Sequence, residues 1–274
     1  MIDYQPLHRV ELETYWRAVK DVNPAWVYAA LGFFGLSVLF FAAMLIDDRL
    51  LHGTSVWAKP AKFAVSLALY FATLLVFAHC LRIPWPSLFG GRWVPQSLVF
   101  VATGEMLYIM VQAAQGQPSH FNVTTPLYSA MYAFMGFGAV WLCVGLAWFA
   151  WAVVRTAKTT QPIGLAIVMG LALSTVFGGG FGVYLGGQSS HWVNASPTDA
   201  NGLWLFSWAT DGGDLRVPHF FGLHAMQIIP MFAQLVPQAL STSKARYSIF
   251  LFSALYGCFC LWTFVQAIQG RAFL

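Results

Sequence analysis

The stretch WAKPAKFAVSLALYFATLLVFAHCL, residues 57–81, carries two lysines near its start, one histidine near its end and no carboxylate. A helix rises 1.5 Å per residue, so a run of this length exceeds the roughly 30 Å of a bilayer's hydrocarbon core. Its polar residues are not scattered. Lys59, Lys62, Ser66, Tyr70 and Thr73 recur at spacings of 3, 4, 4 and 3, which puts them on one helical face. A membrane helix with one polar face has to turn that face toward other helices or a water-filled cavity. The stretch therefore predicts a bundle of spans rather than a single anchor.

Six more apolar runs accompany it, at 26–46, 94–114, 125–153, 162–186, 218–239 and 247–269. The whole chain is 58% hydrophobic, 17% aromatic and 9% charged. A soluble domain carries roughly 25% charge, so this chain cannot solvate a globular surface. The expected fold is all-α: a polytopic membrane helix bundle of about seven transmembrane helices, formed by residues 25–274 as one domain. Residues 1–24 read as a cytoplasmic segment with a short amphipathic helix over 9–20, lying at the membrane surface. The first apolar run is too long for the core of a cleaved signal peptide. A net charge of +4 without a basic run gives no reason to expect nucleic acid. The four cysteines lie in or beside apolar runs, without zinc-ribbon or disulfide-framework spacing.

One connection is long. Residues 187–217 exceed ordinary loop lengths and predict a lid or cap, and their Trp192, Trp204 and Trp208 suit a membrane interface. Nine basic residues fall on one side of the bundle and five on the other, so the positive-inside rule puts the N-terminus in the cytoplasm and the cap outside. Five of the seven histidines then lie at or near the outer face. In the fifth span Gly178, Gly182 and Gly186 stand four apart, a spacing that lets helix backbones approach closely.

Two further spans carry polar stripes. Glu105, Tyr108, Gln112 and Gln115 share a face of the third span; His219, His224, Gln227 and Gln234 fall within about 140° on the sixth. A weaker stripe, Ser253, Tyr256, Cys260 and Thr263, marks the seventh. At 1.5 Å per residue, Ser66, Glu105 and Gln227 lie roughly 13–15 Å below the outer boundary, with Lys62, Gln112 and His224 at about 5–9 Å. The stripes predict an outward-facing polar cleft that takes a small or lipidic ligand. Lys59, Lys62, Ser66, Tyr108, Gln112 and Gln227 are its binding residues. Glu105, the one acidic residue inside a span, is a proton-handling carboxylate near the floor, with Lys62 as its natural partner. Glu105 and His224 are the candidate catalytic pair. His219 and His224 are five apart and diverge, so ligation of haem b or a transition metal would enlist His120 from another element.

The segments WAKPAKF (57–63), QPSHFNVTTP (117–126) and GGDLRVPHFFGLHAMQ (212–227) resemble those of a bacterial family of small multi-pass inner-membrane proteins. The resemblance covers the second to sixth spans. It implies a bacterial inner-membrane location and no particular activity. Seven-span metal hydrolases of the ceramidase type share histidines and a carboxylate on one membrane face, but the paired histidines of their last span have no counterpart here. Three function classes follow: a membrane-embedded enzyme or redox protein, a proton-linked carrier or channel, and an accessory subunit of a membrane complex. The sequence leaves oligomeric state open.

Overall fold

A computed structural model describes residues 23–83, 87–156, 158–204, 206–237 and 239–274. The amphipathic segment expected at 9–20 lies outside them. Seven long helices make the bundle: α1 Pro24–Ala43, α2 Ala58–Leu81, α3 Val94–Ala114, α4 Pro126–Arg155, α5 Pro162–Gly186, α6 Arg216–Leu235 and α7 Thr242–Ile268. All but α6 are long and apolar enough to cross a membrane by composition alone. α6, 20 residues long, carries the histidine and glutamine stripe that makes it less apolar. The protein is a multi-pass membrane helix bundle.

Local chemistry sets the helix ends. Asn23 caps α1 by accepting from the backbone N–H groups of Ala25 and Trp26, and Thr125 caps α4 by accepting from Tyr128. Pro24, Pro126 and Pro162 occupy first helical positions, where a missing N–H costs nothing. α6 stops at Leu235 rather than at 239 because Val236 precedes Pro237 and is forced into extended backbone. α5 is not regular: Ser174–Gly179 is a π-helical turn within it.

The apolar core has two centres. Trp26, Phe71, Leu98 and Phe149 anchor one among α1, α2, α3 and α4; Phe181, Ile229, Ile249 and Tyr256 anchor the other among α5, α6 and α7. Large side chains such as Phe34, Phe100, Phe134, Phe137 and Leu255 point outward. In water such a belt would be untenable; in a bilayer it is the lipid-facing surface.

Four connecting segments meet at one end of the bundle, here the cap face: 44–57, 115–125, 187–215 and 269–274. Two short antiparallel ladders order them, β1 (Leu50–Leu51) with β2 (Thr54–Ser55) and β3 (Trp192–Val193) with β4 (Gly213–Asp214). The long connection is folded back on its neighbours. Asp199 N–H and the Thr198 hydroxyl both donate to the His52 carbonyl, and Leu215 N–H donates to His191. Of the three tryptophans, Trp204 is 92% exposed, whereas Trp208 is buried against Phe206, Phe220 and Phe221.

Candidate functional site

Polar contacts of α2 with α4, α6 and the cap mark a seam. Tyr70 donates its hydroxyl to the Leu142 carbonyl of α4 at 2.9 Å, and Gln227 on α6 donates to Thr73 on α2 at 3.1 Å. Lys62 reaches into the cap, 2.9 Å from both the Phe206 carbonyl and the Ser207 hydroxyl. Ser66 shares the face of half-buried Lys62 and Tyr70, yet it is exposed, so the seam is not closed over at its level. On α7, Ser253, Tyr256, Cys260 and Thr263 are all buried. Tyr256 donates a hydrogen bond to another helix, at the Phe221 carbonyl, whereas Ser253 and Thr263 bond within α7.

The cap closes around one arginine. Arg216 donates to both carboxylate oxygens of Asp214, to Asp199 at 2.8 Å and to the Ser207 carbonyl at 2.6 Å. Asp214 is 3% exposed and also accepts from the N–H groups of Ala209 and Arg216. A planar guanidinium holds several acceptors at fixed angles, which an ammonium cannot do. Two residues apart in the sequence, Asp214 and Arg216 form the hub of the cap.

His191 stands beside this hub, its Nε2 3.5 Å from Asp199 and its ring tilted against Trp192. Burial pulls the His191 pKa below its usual 6.5, with Asp199 only partly offsetting that and Arg216 reinforcing it. Burial raises Asp199, but the nearby His191 ring and the charge of Arg216 outweigh it and bring Asp199 to about 2. Below pH 6.5 the unfolded chain then binds a proton that the folded cap refuses. The His191 contribution to stability is therefore present above that pH and lost as pH falls through it. Melting temperatures recorded against pH should fall on acidification, and His191→Gln should flatten that fall. An unchanged slope in the variant would assign the acid sensitivity to other groups.

The histidines expected as metal ligands each have other work. His219 donates Nδ1–H to the Gly178 carbonyl at 2.8 Å, joining α6 to α5. His224 lies 3.2 Å from the Gln227 side-chain oxygen and packs on Phe220. His120 meets the Ser119 hydroxyl and sits between the Phe63 and Tyr132 rings. Among the described residues no three His, Cys, Asp or Glu side chains are grouped to hold a metal ion. The four cysteines are free thiols.

Glu105 and Lys62 do not pair. Glu105 is 9% exposed and packs its carboxyl against Gly138 of α4, where a Cβ would collide with it. About two turns nearer the cap, Gln112 donates to the Tyr108 hydroxyl at 2.6 Å, and its side-chain oxygen is buried without a partner among the described residues. Lys59 also stands apart. Its ammonium has no hydrogen bond or ion pair among the described residues and lies 5.9 Å from the Phe63 ring centre. Arg216, Asp199 and His120 are within its electrostatic reach.

Comparison of this chain with models of known protein families, with curated proteins and with solved structures gives no match.

Proposed function

We propose that this membrane protein is a carrier that takes a small organic anion from its cap face into the bundle, with Lys59 as the group that meets the anion. The unneutralised Lys59 carries the reading. Three cations gather under the cap: Lys59, Lys62 and Arg216. Both nearby carboxylates, Asp199 and Asp214, are engaged by Arg216, and Lys62 is satisfied by neutral acceptors. A partly buried ammonium without such partners attracts a carboxylate or phosphate strongly, because low local dielectric magnifies the interaction. The neighbouring rings of Phe63, His120 and Tyr132 favour an anion with an apolar or aromatic body. The positive-inside distribution makes the cap face the outer one.

Thermal unfolding in detergent at low ionic strength tests this, with benzoate and inorganic phosphate as probes. Benzoate should stabilise the wild-type protein, by about 2.7 kcal/mol at a hundredfold excess over Kd. Lys59→Gln should abolish the effect, and Arg271→Gln, an exposed position on the same face, should leave it intact. Stabilisation that survives Lys59→Gln, or none in the wild type, would refute the anion site.

The enzyme or redox reading retains one favourable observation. His219, with Nδ1–H given to a backbone carbonyl, has the tautomer of a ligating histidine with Nε2 available. An absorption spectrum with metal analysis of the purified protein decides it: a haem band or stoichiometric metal, lost on His219→Ala, would displace the carrier reading.

A further inference from the structure

We infer that Glu105 is a proton-binding site in the membrane interior, a carboxylic acid that exchanges its proton with the cap side along the Tyr108–Gln112 face of α3. This inference stands apart from the anion site, and either can fail without the other.

The argument begins with cost. An isolated carboxylate loses far more solvation on leaving water than a neutral polar group does, and inside a membrane it must be paired, hydrated or protonated. Glu105 lies midway along α3, nine-tenths buried, with no hydrogen bond or ion pair among the described residues. No neighbouring element offers a counter-charge. α1 carries no charged residue, and its one tyrosine is Tyr28. On α2, Lys62 is held by the cap, Lys59 sits in the first turn, the Tyr70 hydroxyl is given to Leu142, and His79 and Cys80 lie at the far end. On α4, Tyr128 and Tyr132 are at the cap end, Arg155 is at the other, and Cys143 is a thiol. Protonation is the remaining way to keep the side chain where it is.

Gly138 leaves room for the carboxyl. The tip of Glu105 occupies the space that a Cβ at 138 would take, so α4 presents bare backbone to the acid. Toward the cap, Tyr108 and Gln112 stand three and seven residues on, over the same face. Gln112 gives its amide to Tyr108, which leaves the phenol proton free to donate, while the buried Gln112 oxygen waits for a donor. The Tyr108 hydroxyl can pass a proton through water between Glu105 and the cap-side seam, with the Gln112 oxygen as an acceptor that orients that water.

The test uses dicyclohexylcarbodiimide, an apolar reagent that adds to protonated carboxylic acids. The acid proton goes to one carbodiimide nitrogen and the carboxylate oxygen to the central carbon, and rearrangement fixes the adduct as an N-acylurea. Mass spectrometry of the labelled full-length protein should locate the adduct on Glu105, with yield falling as pH is raised. Infrared difference spectra between wild type and Glu105→Gln should show a protonated carboxyl C=O band. A folded wild-type protein that takes no label at Glu105, a yield indifferent to pH, or a carboxylate band in its place would overturn the inference. The labelling arm needs no variant, so misfolding of Glu105→Gln would not spare the proposal.

Discussion

Arg216→Ala is expected to destabilise the cap by about 3–5 kcal/mol, because it strands a buried carboxylate. Asp214 is 3% exposed and has both oxygens on the guanidinium. Its remaining donors, the N–H groups of Ala209 and Arg216, cannot neutralise a charge. Asp199 would lose its cation as well, and Ser207 its donor. The residues so freed all belong to the 187–215 connection or to the start of α6, so opening should be local. Limited proteolysis should cut within 187–215 in the variant and spare the wild type. Arg216→Lys should be intermediate, since an ammonium cannot reproduce the forked contact to Asp214. The pair Arg216→Met with Asp214→Leu should recover most of the loss, because removing both charges abolishes the stranded one. Full resistance to proteolysis in Arg216→Ala would show that apolar packing around Trp208, and not the ion pairs, holds the cap.

The span boundaries were legible because each rests on chemistry that acts within a few residues. Pro126 and Pro162 open helices at positions where proline is favoured, and α3 fills the expected 94–114 without revision. The inward faces of α2, α3 and α6 were legible for a related reason: periodicity fixes which side of a helix a residue occupies. Periodicity does not say what stands opposite. Lys62 and Glu105 both face inward, but Lys62 meets Phe206, 144 residues away, and no local pattern encodes that contact. Ser66 sits squarely within its stripe and is exposed, because openness depends on the neighbouring helices rather than on its own. The role of Arg216 was hidden likewise. The string GGDLR carries no local mark of burial; Asp214 is buried where β4 pairs with β3, about twenty residues back along the chain. Glycines were half readable. The four-residue spacing flagged Gly178, which packs on Leu223, and Gly182, which packs on the His219 ring, whereas Gly186 is nearly open. Gly222, which has no such spacing partner on its own helix, went unmarked.

Gly222→Ala is expected to cost about 3 kcal/mol, against the direction that helix propensity alone would give. A Cβ at Gly222 would lie 2.5 Å from the Gly178 nitrogen and 2.7 Å from the Phe177 carbonyl carbon. Both are backbone atoms, so no rotamer change relieves the clash, and the helices themselves must separate. Two contacts resist that separation. The Ser174 hydroxyl donates to the Leu223 carbonyl at 2.7 Å and accepts from Met226 N–H at 2.9 Å, and His219 holds the Gly178 carbonyl. The π turn of α5 lies opposite this part of α6, and such turns are frequent at functional sites. Gly180 provides the control within α5. A Cβ there meets nothing within 4 Å, so Gly180→Ala should be neutral or stabilising by up to about 1 kcal/mol. Thermal unfolding of the two variants in the same detergent separates a backbone contact from a general intolerance of α5 and α6 to substitution. If Gly222→Ala melts with the wild type, α5 and α6 can part without loss, and the seam beside them is a moving joint rather than a fixed wall.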